Sequence, residues 1–161
     1  MATIHLTRET TAAPAAVWQV LTDFGSHGRF MPLTRMRLDA GAPRRGWGFA
    51  GLTGVGPLRF SDPMVLTVWS PPHELRLVKT GRLLGGWVQV RVAAHGAGST
   101  VDWLEELVLR PLPAQRLTAG AVRRVGELLY GRAIDAMLAL AEQGERGDHA
   151  EQGRGSSGSG S

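Results

Sequence analysis

STVDWLEELVLRPLP, residues 99–113, holds both the last strand of the chain and the break before its longest helix. From Thr100 to Leu109 the residues alternate. Val101, Trp103, Glu105, Leu107 and Leu109 share one face, and Asp102, Leu104, Glu106, Val108 and Arg110 share the other. The first face is the more apolar, so it is expected to point inward and to carry Glu105 with it, beside Trp103. Pro111-Leu112-Pro113 then ends the strand. Downstream, residues 114–143 read as one helix, with Val122, Val125, Leu129, Ala133, Ala136 and Leu140 as a stripe at helical spacing. Leu128, Tyr130, Ile134, Met137 and Leu138 widen that stripe beyond a narrow seam. A helix so broadly apolar needs more cover than a flat sheet gives, and a curved sheet wrapped around it would serve.

Upstream, residues 33–109 read as short strands separated by Gly/Pro turns, with no helical period between them. The strand segments are residues 36–39, 47–52, 58–60, 64–69, 74–80, 87–93 and 100–109. Gly54-Val55-Gly56-Pro57 and Gly85-Gly86 are among the turns. Regular short strands of this kind predict an antiparallel meander and not a doubly wound sheet. Residues 3–10 read as a first strand. Pro14 then opens a helix through Val17, Trp18, Val20, Leu21 and Phe24, with Thr11 as the candidate cap. Gly25 and Gly28 break that helix, and a second short helix or turn carries His27, Arg29 and Phe30.

Composition narrows the classes of function. The 161 residues fit one domain, and 43% hydrophobic with 20% charged residues is the balance of a globular chain. No cysteine is present, which removes thiolate chemistry and cysteine-based zinc sites. Neither a run of about 18 apolar residues nor a basic leader with an apolar core is found, so the expectation is a cytoplasmic protein without a membrane span. The net charge is +4. It comes almost entirely from scattered arginines, since Lys79 is the only lysine, and no stretch interleaves basic with aromatic residues. No nucleic-acid partner is expected. His5, His73 and His95 lack metal-ligand spacing, so neither a metal nor another cofactor is expected. The glycine-rich GWGFAGLTGVG, residues 46–56, lacks the Gly-Lys-Ser/Thr ending of a phosphate loop and reads as two strands and a turn. The tail, residues 144–161, reads as flexible, and its Gly-Ser end, residues 155–161, as an engineered linker.

The local words APAAVWQVLTDFGSHGRFMP (13–32), VWSPP (68–72), GGWVQVRV (85–92) and STVDWLEELVLRPLP (99–113) resemble those of the START-like (SRPBCC) superfamily. The nearest likeness is to its polyketide cyclase/dehydrase and lipid-transport group, and it covers residues 3–143. The resemblance implies a helix-grip fold of the α+β class. About six to seven antiparallel strands would curl around the C-terminal helix, with two short helices after the first strand. It also implies a cavity between sheet and helix, in a ligand-binding domain spanning residues 1–143.

Within that frame Glu105 is the first catalytic candidate. A carboxyl in an apolar pocket has its pKa raised by desolvation and can act as a general acid or base. The alternative is an ion pair with an arginine across the sheet. His27 is the second candidate, since the turn that carries it rims the cavity mouth in this superfamily. Asp23 four residues earlier could pair with it, or His27 could be a solvated loop residue. Arg59, Arg76 and Arg91 alternate with apolar neighbours and are expected to face outward. Trp47, Trp69, Trp87 and Trp103, with Phe30, Leu129 and Met137, are candidate walls for an apolar ligand or plain core. Three functions follow: binding of a lipid-like or polyketide-like molecule, cyclase or dehydratase chemistry on such a molecule, or a filled interaction domain without a ligand. The chain could act as a monomer or a homodimer.

Overall fold

The computed structural model describes residues 1–110 and 115–155. The proline break at residues 111–113, Ala114 at the expected helix start and all but the first residue of the Gly-Ser end lie outside the described residues. The elements are β1 (Ala2–Thr10), α1 (Pro14–Thr22), a 3-10 helix (Phe24–Arg29), β2 (Thr34–Leu38), β3 (Gly48–Val55), β4 (Leu58–Ser70), β5 (Glu74–Thr80), β6 (Leu84–His95), β7 (Gly98–Leu109) and α2 (Gln115–Gly155). The strands form one antiparallel sheet in the order β1-β7-β6-β5-β4-β3-β2. This is the helix-grip arrangement, with the two short helices placed after the first strand.

Burial follows the alternation of each strand. Leu75 and Leu77 of β5, Val88, Val90 and Val92 of β6 and Val101 of β7 face inward. They meet Ala133, Ile134, Met137, Leu138 and Ala141 of α2, and Val17, Trp18 and Leu21 of α1. At one point the approach is close: a side chain on Gly126 of α2 would meet the terminal methyl of Ile4 of β1, which is fully buried. Polar ties fix the helix to the other end of β1. Arg8 pairs with Asp135 at 2.7 Å. The Glu142 carboxylate accepts from Thr10 Oγ1 at 2.6 Å and from the Thr11 amide at 3.1 Å.

Several boundaries differ from the sequence reading. Residues 58–60 and 64–69 belong to one strand, β4, because Pro63 is accommodated in register opposite Ala50. Gly85 and Gly86 lie inside β6 and not in a turn. Gly86 adopts φ +119°, and a side chain there would strike the carbonyl of Glu106. Thr11 does not cap α1; the N-cap is Ala13, with no side-chain cap, and the proline at the first turn suffices. The helix α2 also runs past Gln143 to Gly155, and Glu145 accepts from the Ala13 amide at 3.0 Å.

The stripe on α2 is displaced from the expected one. Ala133 is buried, but Val125 and Leu140 of the expected stripe, and Leu128 beside it, are exposed. The buried face instead passes through Gly126, Ala133, Ile134, Met137, Leu138 and Ala141. The broad apolar circumference therefore reflects exposed aliphatic residues on the outer face, not a helix wrapped on every side.

Candidate functional site

Between sheet and helix lies a cavity of about 410 Å³. Its walls are largely apolar: Leu21, Met36, Met64, Leu75, Leu77, Val88 and Val90 line it, with Leu129 from α2. Aromatic rings border one side. Phe24 stacks on Phe49 at 4.4 Å between centroids and lies 5.6 Å from Trp47.

The other side is polar, and three strands build it. Asp62 comes from β4, Lys79 from β5 and Glu105 from β7. Lys79 is inward because it shares the face of Leu75 and Leu77. Its register partner on β4 is Met64, which makes Asp62 its diagonal neighbour on that face. Toward β7 its partner on β6 is Gly86, so no side chain is set there between Lys79 and β7. The Lys79 ammonium donates to Asp62 Oδ2 at 2.8 Å and lies 3.5 Å from Glu105 Oε1. The second distance is an ion pair but too long for a good hydrogen bond. Trp103 Nε1 donates to Glu105 Oε2 at 3.3 Å, and the Tyr130 hydroxyl is a further hydrogen-bonding neighbour of that carboxylate. Trp103 and Tyr130 stack at 5.9 Å.

Glu105 is fully buried. Desolvation pushes its carboxyl above the ordinary value, opposed by Lys79, Trp103 and Tyr130. Lys79 shows the reverse balance. Burial works against its charge, but the fields of Tyr130, Glu105 and Asp62 and the hydrogen bond to Asp62 hold the ammonium well above its usual range. Burial likewise raises Tyr130, so it is a neutral phenol at neutral pH. With Tyr130 neutral, the groups left to balance the Lys79 ammonium are Glu105 at 3.5 Å and Asp62 at 2.8 Å. Two polar atoms of the cluster, Asp62 Oδ1 and Glu105 Oε1, have no hydrogen-bond partner among the described residues.

The candidate residues are distributed unevenly. Glu105, Trp103, Leu129 and His27 line the cavity. Trp47, Trp69, Phe30 and Met137 pack in or against the core, outside the cavity lining. Trp87 is a correction: it lies on the outer face of β6, since Val88 and Val90 face inward, and the Arg76 guanidinium sits 4.6 Å from its ring centroid. The ion pair open to Glu105 forms with the chain's single lysine and not with an arginine. His27 is not a solvated loop residue. It belongs to the 3-10 helix, is half-buried against the edge of Phe24, and donates from Nε2 to the Leu21 carbonyl at 3.0 Å. Burial lowers its pKa, opposed by that carbonyl and by Asp23. Asp23 itself caps the 3-10 helix by accepting from the Ser26 amide.

Lys79, Asp62 and Tyr130 are not singled out by the sequence reading. A signal existed for the first two: Leu75, Leu77 and Lys79 share one parity in β5, and Phe60, Asp62, Met64 and Leu66 share one in β4. A wider, open depression of about 630 Å³ lies among Leu33, Arg35, Leu52, Val55 and Arg59. Its walls are exposed, Leu33 at 67% and Val55 at 63%, and it holds none of the buried polar groups that border the inner cavity. Among the described residues no group of His, Cys, Asp and Glu could hold a metal ion, and no helix is long and apolar enough to cross a membrane.

A family model described as polyketide cyclase / dehydrase and lipid transport matches residues 1–142. A search of the curated proteins found no match. Similar solved structures include the Zhui aromatase/cyclase from Streptomyces sp. R1128. It has TM-score 0.70 and 15% identity, over 88% of this chain and 93% of that one. A protein from Thermus thermophilus has TM-score 0.73 and 11% identity over 88% and 98%. The di-domain aromatase/cyclase StfQ from the steffimycin biosynthetic pathway has TM-score 0.73 and 13% identity, over 88% of this chain and 51% of that one. Structural likeness at these identities speaks for the fold alone, whereas the family model spans most of the sequence. The chain belongs to the polyketide cyclase/dehydrase and lipid transport family, within the START-like (SRPBCC) helix-grip superfamily.

Proposed function

We propose that this protein binds a hydrophobic small molecule, lipid-like or polyketide-like, in the cavity between the sheet and α2. The observation that carries this reading is the cavity itself. A space of about 410 Å³ with apolar walls and one polar cluster has the size and lining of a small-molecule site. A filled interaction domain would leave no such space. The reading is of a cytoplasmic domain without a nucleic-acid partner, acting as a monomer or a homodimer. Native mass spectrometry of the purified protein, with extraction of any co-purified compound, tests it together with titration of the uncharged fluorescent probe N-phenyl-1-naphthylamine. A bound mass or saturable probe binding supports the reading. An empty protein that leaves the probe dark overturns it.

A second reading, cyclase or dehydratase chemistry, is favoured by one specific observation. The pKa of the Glu105 carboxyl is raised by burial, the residue borders the cavity, and its Oε1 has no hydrogen-bond partner among the described residues. In that state it can hold or release a proton toward a bound substrate, with Lys79 available to stabilise the carboxylate left behind. His27 has the weaker geometry for this role. Its Nε2 is committed to Leu21, and only Nδ1 is left to accept a proton. Turnover of a polyketide-like substrate that survives Glu105→Gln would exclude Glu105 from this chemistry.

A further inference from the structure

Resting on the reading of the cavity as a small-molecule site, we infer that its polar end selects an apolar ligand carrying a hydrogen-bond donor, a hydroxyl or an amine, over one carrying a carboxylate. The inference starts from two atoms. Asp62 Oδ1 and Glu105 Oε1 are buried oxygens without a hydrogen-bond partner among the described residues, and both residues line the cavity. An acceptor buried without a donor costs free energy that a ligand recovers by supplying the donor.

The protein's own donors nearby, Lys79, Trp103 and Tyr130, already face the two carboxyl groups of the cluster. The Lys79 ammonium is held by Asp62 Oδ2 at 2.8 Å, with Met64 Sδ at 3.9 Å and Glu105 Oε1 at the longer 3.5 Å. The Trp103 indole N–H is turned to Glu105 Oε2. A carboxylate head would therefore compete with Asp62 and Glu105 for the one ammonium. It would also bring a third carboxylate into a space that already has two against a single ammonium. A hydroxyl or amine donates to the two oxygens that lack a hydrogen bond and leaves the Lys79–Asp62 pair in place. The apolar walls set the rest of the ligand, and the stacked Trp103 and Tyr130 rings beside the cluster offer a flat surface to an aromatic body.

A ligand series on the unmodified protein tests this by calorimetric titration with 2-naphthol, 2-naphthylmethylamine, 2-methylnaphthalene and 2-naphthoate. The body is constant and only the head changes. At least one of the two donor heads is expected to bind roughly tenfold or more tightly than the methyl compound, as for a buried acceptor gaining its partner. Naphthoate is expected to bind most weakly. The order of naphthol and the amine tells a neutral donor from a charged one. Methylnaphthalene equal to both donors, or naphthoate as the tightest ligand, overturns the inference while leaving the cavity reading intact. Failure of all four to bind takes down the cavity reading and this inference with it. Glu105→Gln offers a second check, since it replaces one acceptor oxygen by a donor amide. The preference for a donor head over naphthoate should narrow, and an unchanged preference contradicts the assignment of Glu105.

Discussion

The space between sheet and helix is used in two opposite ways. Toward α1 and the 3-10 helix it is filled by a packed aromatic wall: Phe24, Trp47, Phe49, Trp18 and Trp69 contact one another ring to ring, with centroids 4.4 to 6.4 Å apart, and Phe24 and Phe49 face the cavity. Toward the middle of the sheet it is open, and there Asp62, Lys79, Glu105 and Tyr130 gather. Both regions face the same interior and rest on the same alternation of strands. The aromatic side closes because large, mostly apolar rings interlock, and among the described residues only the Trp47 N–H there is buried without a hydrogen-bond partner. On the polar side charged groups must be kept paired, and two of their oxygens are left over. The comparison teaches that the cavity is a consequence of which residues hold the inward positions, not of the fold alone.

That contrast can be broken from either side. Truncating the filled region should have the largest effect on stability: Phe24→Ala is expected to cost about 4 kcal/mol in urea unfolding, because its neighbours cannot collapse into the hole. A cost under about 1 kcal/mol would mean that the rings are not interlocked. In the open region Lys79→Met should cost about 3 kcal/mol, since it leaves two buried carboxyl groups without their cation. The figure is at the low end for a broken buried pair because the Asp62 side chain keeps 11% exposure. Unchanged stability would show that the carboxyls simply take up protons.

Glu105→Gln should be far milder, within about 1 kcal/mol in either direction. It removes a charge that burial already disfavours and keeps the shape, while Lys79 retains Asp62. A large loss would mean that the Lys79–Glu105 attraction outweighs the desolvation of Glu105.

Two groups that line the cavity differ in the sign of their pH dependence. His27 has a folded pKa below its ordinary 6.5, so the unfolded chain takes up its proton first. Its contribution to stability is full above pH 6.5 and is lost as pH falls below that value. Glu105 is the reverse: its folded pKa is raised from 4.5, so its ionisation lowers stability as pH rises from 4.5 through the folded value. Melting temperatures recorded between pH 4 and 8 should therefore lose the decline below pH 6.5 in His27→Leu. In Glu105→Gln they should lose the decline that sets in as pH rises from 4.5. Profiles that neither substitution alters would contradict both assignments.

What could be read in the sequence divides along physical lines. The inward position of Glu105 was legible because β7 alternates without interruption. Asp62 was hidden because it precedes Pro63, and Ser61-Asp62-Pro63 looks like a break until the register with β3 shows the strand running through. Lys79 was open to reading from its parity with Leu75 and Leu77, but a lone lysine among arginines on strands reads as surface. The face of α2 was misleading because Val125, Leu128 and Leu140 are apolar and still exposed, and hydrophobicity alone does not say which face is covered. Trp87 and Trp103 look equivalent in sequence, and only strand parity separates the outer-face ring from the cavity ring.

The central claim is that the open region is a ligand site and not an accidental void, and filling it tests this most directly. Leu129 lines the cavity from α2, so Leu129→Trp should occupy the space with little strain. Fluorescence titration of N-phenyl-1-naphthylamine against this variant and the unmodified protein is the decisive measurement, with melting temperature as the control for folding. The account predicts that the variant melts within a few degrees of the parent and loses at least about tenfold in probe affinity. Undiminished probe binding by a folded variant would contradict it.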